Sequence, residues 1–166
     1  MHHHDEPHQC NKYEPHHGAR NERERRAAFF TDRYDAHSEA LKYVMESNER
    51  DGTRDSLSDE YLDLRELALK TLVDARVFLM NSYVAAWAME EDLHTSKVFE
   101  GYQGNLELFT EKLNRMVVQQ VTWDQGERQV TNFFRAMEFS TKSIQQYMAR
   151  ILALVEDEDE RCNADF

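Results

Sequence analysis

Proline stops at residue 15. Pro7 and Pro15 are the whole supply, and five glycines serve all 166 residues. From Ala19 onward nothing obliges a helix to break. Alternating runs of Val, Ile, Thr and aromatics are missing too, which argues against strands and for an all-α body. No apolar run reaches the roughly 18 residues that a membrane-spanning helix needs. The opening Met1–His8 lacks the apolar stretch of a secretory signal. Basic charge is short: 20 Lys and Arg face 32 Asp and Glu, a net charge of −12. Nucleic-acid backbones and anionic membrane surfaces both reward a basic face, so both are excluded as expected partners; a basic protein surface is the better match. Two cysteines, Cys10 and Cys162, stand at opposite ends and make no disulfide framework. Reduced thiols in the cytoplasm, with the nucleus also open, are the expectation.

What is present is helical periodicity in a globular composition, 40% hydrophobic and 31% charged. A first helix is expected over about Ala19–Asn48, with Phe30, Tyr34, His37, Leu41 and Val44 on one face and Asp51-Gly52-Thr53 ending it. A second starts near Ser56 or Ser58, Ser58 being the good N-cap, and runs to about Met89. Its apolar stripe, Leu62, Leu69, Leu72, Val73, Leu79, Met80, Tyr83, Val84 and Trp87, is wide enough to touch more than one neighbour. After a turn at Glu91–Ser96 comes a third helix with the seam Phe99, Tyr102, Leu106, Phe109, Leu113 and Met116. Gly101 and Gly104 weaken its first turns by roughly 1 kcal/mol each relative to Ala. Thr122-Trp123-Asp124-Gln125 fits a capping box ahead of a fourth helix with the seam Val130, Phe134, Met137, Thr141, Ile144, Met148, Ile151 and Val155. The acidic run Glu156–Glu160 should fray at the negative end of that helix. The expected fold is a bundle or extended sheaf of about four long amphipathic helices over residues 19–157, between a His-rich segment 1–18 and an acidic tail 158–166.

Signs of catalysis are thin. There is no glycine-rich phosphate loop, nucleophile elbow or Cys–His pair in the helical body. A di-iron carboxylate bundle needs two Glu-x-x-His elements, and the body offers one, Glu91–His94, in an expected turn. His37 on an apolar face reads as a core histidine bonded to a neighbouring helix. Arg76, set among Leu72, Val73, Leu79 and Met80, reads as an internal ion pair across the bundle. Cys10 with His3, His4 and His8 has zinc-type donors, but one thiolate falls short of the usual structural tetrad, so a tag or linker is the stronger account.

Several segments in order resemble the C-terminal Ariadne domain of Ariadne-type RING-between-RING (RBR) E3 ubiquitin ligases. Gln9-Cys10-Asn11-Lys12-Tyr13 is similar to the Cys-Asn-Arg-Tyr where the catalytic zinc domain ends. Arg33-Tyr34-Asp35-Ala36-His37, then Leu41, resembles the first-helix Arg-Tyr-x-x-His pattern. Arg76 through Leu79 with Ser82-Tyr83-Val84-Ala85-Ala86-Trp87 looks like the second-helix run. Val98-Phe99-Glu100, Gln103, Leu106-Glu107 and Leu113 are similar to the signature opening the third helix. The likeness covers about Cys10–Val155.

The resemblance implies a regulatory, autoinhibitory and protein-binding module without a catalytic centre of its own. The catalytic cysteine, which accepts ubiquitin from an E2 conjugating enzyme, would lie in a zinc domain upstream, and zinc would belong to that parent protein. Expected partners are that zinc domain and cullin-RING complexes carrying a ubiquitin-like modifier, whose binding releases inhibition. Cys10 matches the last zinc ligand of the catalytic domain. Glu111 matches a glutamate of the inhibitory contact, and Tyr43-Val44 stands where the family has an aromatic followed by an acid, with Glu46 as a stand-in for the acid. A helical scaffold acting through homo-oligomerisation is the alternative, and a di-iron oxidoreductase a distant third.

Overall fold

The computed structural model describes residues 22–49, 59–88, 94–118 and 126–164. They form four helices: α1 (Glu22–Glu49), α2 (Asp59–Ala88), α3 (His94–Val118) and α4 (Glu127–Ala164). The chain is an all-α four-helix bundle, and no strand occurs among the described residues. Among the described residues, no helix is long and apolar enough to cross a membrane.

Contacts fix the directions. Phe30 meets Tyr83 and His37 meets Arg76, so α1 and α2 run antiparallel. Tyr83 with Glu107 and Arg76 with Glu111 set α2 against α3 in the same sense, and Tyr102 with Tyr147 and Phe109 with Phe139 do so for α3 and α4. The wide apolar face of α2 has the consequence its breadth implies. It packs against all three other helices, whereas α1 lies chiefly on α2.

The apolar core is built by heptad-like seams. Leu72 and Leu79 of α2, Leu106 and Leu113 of α3, and Val130, Met137 and Ile144 of α4 are almost fully buried. Burying each such side chain contributes about 1.5–3 kcal/mol. Tyr61 stacks on Phe134 with centroids 4.2 Å apart, joining α2 to α4. Buried Thr110 and Thr141 remain compatible with this core because each hydroxyl donates to the carbonyl one turn back.

Helix ends depart from expectation by a few residues. α3 begins at His94, inside the stretch read as a turn. Gly126 precedes the first turn of α4: its φ is +93°, and its carbonyl accepts from the amides of Gln129 and Val130. A left-handed backbone just ahead of a helix suits glycine, which carries no Cβ to clash. α4 continues to Ala164 through the acidic run Glu156–Glu160, where fraying is expected, since glutamate has high helix propensity. Ser56, Ser58, Gly52 and Thr122–Gln125 lie outside the described residues. Arg26 of α1 donates to the carbonyl of Ala86 (3.2 Å), satisfying an acceptor in the last turn of α2.

Candidate functional site

Four expected seam residues do not enter the core: Tyr34, Val84, Trp87 and Val155 are exposed. On α1 the buried positions recur every seven residues, Phe30, His37 and Val44. Two of these are apolar and the middle one is an imidazole, which places a polar group at the centre of the α1–α2 contact.

His37 receives a hydrogen bond from Arg76, whose Nη1 lies 3.0 Å from its Nδ1. A guanidinium carries only donors, so Nδ1 must be the acceptor and the neutral ring keeps its proton on Nε2. Nε2 lies 3.9 Å from Glu107 Oε1. Burial, reinforced by Arg76 and Arg33 and opposed by Glu111, brings the imidazole pKa down to about 4. The ring also stacks on Tyr83, with centroids 5.6 Å apart and planes 17° from parallel.

The same Arg76 Nη1 donates to Glu111 Oε1 at 2.6 Å, across from α2 to α3. The Arg76 side chain is 2% exposed and that of Glu111 38%, so a buried cation meets a carboxylate at the surface. Arg76 Nε is buried and finds no acceptor among the described residues. One turn away, Glu107 ties three helices together. Its Oε1 accepts from Arg33 of α1 (3.3 Å) and its Oε2 from the Tyr83 hydroxyl of α2 (3.0 Å). Gln103 of α3 donates to Ser82 Oγ (2.8 Å), and Ser82 donates to the carbonyl of Leu79. Polar side chains of α1, α2 and α3 thus interlock where apolar contact between α1 and α3 is sparse.

His37 and Arg76 are therefore the core histidine and the internal ion pair that their surroundings on the helix imply. The arrangement fixes charge in place, and the imidazole lone pair is already engaged by a guanidinium. Among the described residues, no cluster of three His, Cys, Asp or Glu side chains is placed to hold a metal ion. Cys10, His3, His4, His8 and Glu91 lie outside the described residues.

The expected contact residues divide. Tyr43 is 56% exposed, while Val44 beside it is 3% exposed and part of the core. An acid at position 44 would face the core, so in this chain the acidic half of the pair has no surface place there. Glu46, three residues beyond Tyr43, is exposed on a neighbouring direction of the helix. Glu111 belongs to the bundle's own ion pair as well as to its surface. Glu107, with no role assigned from the sequence, is the hub of the network; its signal was its place four residues from Glu111, on one helix face. Against known protein families and curated protein sequences the chain finds no match.

Proposed function

We propose that this chain is the regulatory, protein-binding helical domain of an Ariadne-like RING-between-RING ubiquitin ligase. In this reading it packs on the catalytic zinc domain of its own parent and holds the catalytic cysteine occluded. Binding to a modified cullin-RING complex releases it. Thioester chemistry and zinc both belong to the parent's other domains.

One observation carries the reading. The residues that resemble the family come from separate stretches around 33–37, 76–87 and 99–107, and they converge. Arg33, His37, Arg76, Ser82, Tyr83, Gln103 and Glu107 form the polar network at the junction of α1, α2 and α3. A pattern that is a shared interior device is a better mark of kinship than scattered matches on solvent-facing helix surfaces.

The exposed ring of Tyr43 supplies an aromatic anchor of the kind that dominates small interfaces. Interdomain contacts of moderate area detach readily. A closed-state preference of about 2–3 kcal/mol suffices for inhibition, and a partner that favours the open form overturns it.

The test has two arms. The coding sequence ahead of Met1 should encode cysteine-rich zinc modules. In the complete protein, Tyr43→Ala should raise autoubiquitination on the order of tenfold, which corresponds to about 1.4 kcal/mol of lost closed-state preference. An upstream sequence without such modules, or a thioester discharge rate unmoved by Tyr43→Ala, rejects the reading.

A further inference from the structure

On the side of α1 away from Tyr43, α1 and α2 leave a groove of about 410 Å³ between them. Tyr34 and Tyr43 are nine residues apart, about two and a half turns, which puts them on opposite flanks of the helix. Phe30 and Tyr83 form the floor, and Tyr34, Val84 and Trp87 form the walls. Val84 is 53% exposed and Trp87 42%. Val77, also exposed, lies one heptad before Val84 and prolongs the apolar track along α2 for about three turns. The residues lining the groove come from α1 and α2 alone.

We propose that this groove is a docking site for an amphipathic α-helix with basic flanks, supplied by a different protein. Two parallel ridges with an apolar trough between them suit a third helix that inserts side chains at i, i+3 or i+4, and i+7. Trp and Tyr at the walls are the residue types that concentrate binding energy at such contacts. Charge selects the occupant. No Lys or Arg lines the groove. Among the described residues, the exposed charged ones on the adjoining outer face of α1 are Glu24, two helical turns before Thr31, and Asp35, one turn after it, while the guanidinium of Arg26 is turned onto the Phe30 ring and the Ala86 carbonyl. A second copy of the chain would bring another −12 to the same place. Like charge opposes that pairing, whereas Lys or Arg beside the incoming apolar stripe is drawn to the acidic lip. The site does not depend on the regulatory reading above, because it uses the other flank of α1.

The probe is a synthetic helical peptide of about 20 residues with Leu along one face and Lys on both flanks. A peptide with Glu in place of Lys serves as the charge control. Trp123→Phe leaves Trp87 as the sole tryptophan reporter. The Lys peptide should bind with micromolar affinity and shift Trp87 emission to the blue, and raised salt should weaken it. Val84→Asp, checked for native helicity, should cost at least tenfold in affinity, and the Glu peptide should leave the emission unchanged. Three results would overturn the proposal. One is Lys-peptide binding of equal strength to the Val84→Asp protein; another is unshifted Trp87 emission at saturating peptide. The third is a dimer in sedimentation that Val84→Asp dissolves, which would make a second copy the occupant.

Discussion

The two sides of α2 are packed by different means. Toward α4, and along the apolar seam of α3, contact is made by Leu, Ile, Met and stacked aromatics that need only complementary shape. Toward α1, Phe30 and Val44 supply apolar contact at either side, but the centre, continuing across to the middle of α3, is made by an imidazole, two guanidiniums, two carboxylates and a phenol that need specific partners. The apolar side loses stability in proportion to the volume removed. The polar side gives α1 one register against α2 and α3, yet its hold depends on protonation states and on every partner being present. Since α1 carries both Tyr43 and a wall of the groove, the less apolar attachment belongs to the helix that offers the binding surfaces.

That contrast can be broken most forcefully from the apolar side. Ile144→Ala, deep in α4, should cost about 2–5 kcal/mol through lost burial and the cavity left behind. Chemical denaturation should show one cooperative transition at lower midpoint, and a loss under 1 kcal/mol would mean that the seam tolerates voids.

Next comes pH. The native imidazole of His37 titrates near 4 and the unfolded one near 6.5. The unfolded chain therefore binds the proton first as pH falls. The stability that the neutral ring contributes is complete above pH 6.5 and is lost as pH drops toward 4. By linkage this is about 2 kcal/mol at pH 5, approaching about 3 kcal/mol below the native pKa. Melting curves at pH 7 and pH 5 for the native chain and for His37→Gln should show a steeper decline in the native chain; equal declines would relieve His37 of that role.

Glu111→Ala should follow, costing about 1–3 kcal/mol by leaving the buried guanidinium of Arg76 without its carboxylate. The loss falls short of a fully buried pair because Glu111 is half-exposed and water can reach the vacated place. Arg76→Met should cost less than Glu111→Ala, since it removes the buried charge and leaves the acid at the surface. The reverse order would show that the guanidinium packs better than it pairs. In an activity assay Glu111→Ala would mix lost stability with any lost contact, so Glu111→Gln, read beside a melting curve, separates the two.

The smallest effect sharpens the baseline. A Cβ added at Gly101 meets nothing within 4 Å. Gly101→Ala should therefore stabilise α3 by about 0.5–1 kcal/mol, read as a higher melting temperature. A lower one would mean that the glycine serves the helix in another way.

Much of this was legible in the sequence. Four seams repeating every three or four residues specify four helices, and the broad stripe on α2 specifies its central place. His37 and Arg76, polar residues on apolar faces, announced buried partners. The identity of those partners was not legible, because Glu107 and Glu111 are two of many acids and only the antiparallel register of α2 and α3 brings them to Tyr83 and Arg76. Tyr34, Val84 and Trp87 fit the periodicity of buried residues, yet they line the open groove between α1 and α2 and stay at the surface. Helix limits were less legible, because α3 begins inside the stretch that reads as a turn and glutamate propensity carried α4 through its own charge repulsion.

Between its apolar contacts at Phe30 and Val44, α1 is held at its centre by polar, protonation-dependent contacts, whereas α4 is held by an apolar seam. Amide hydrogen exchange at pH 7 and pH 5, expressed as protection factors, tests this contrast directly. Protection in α1 around His37 should fall at pH 5 well before that of α4 around Ile144. Protection declining in step across both helices would contradict the account.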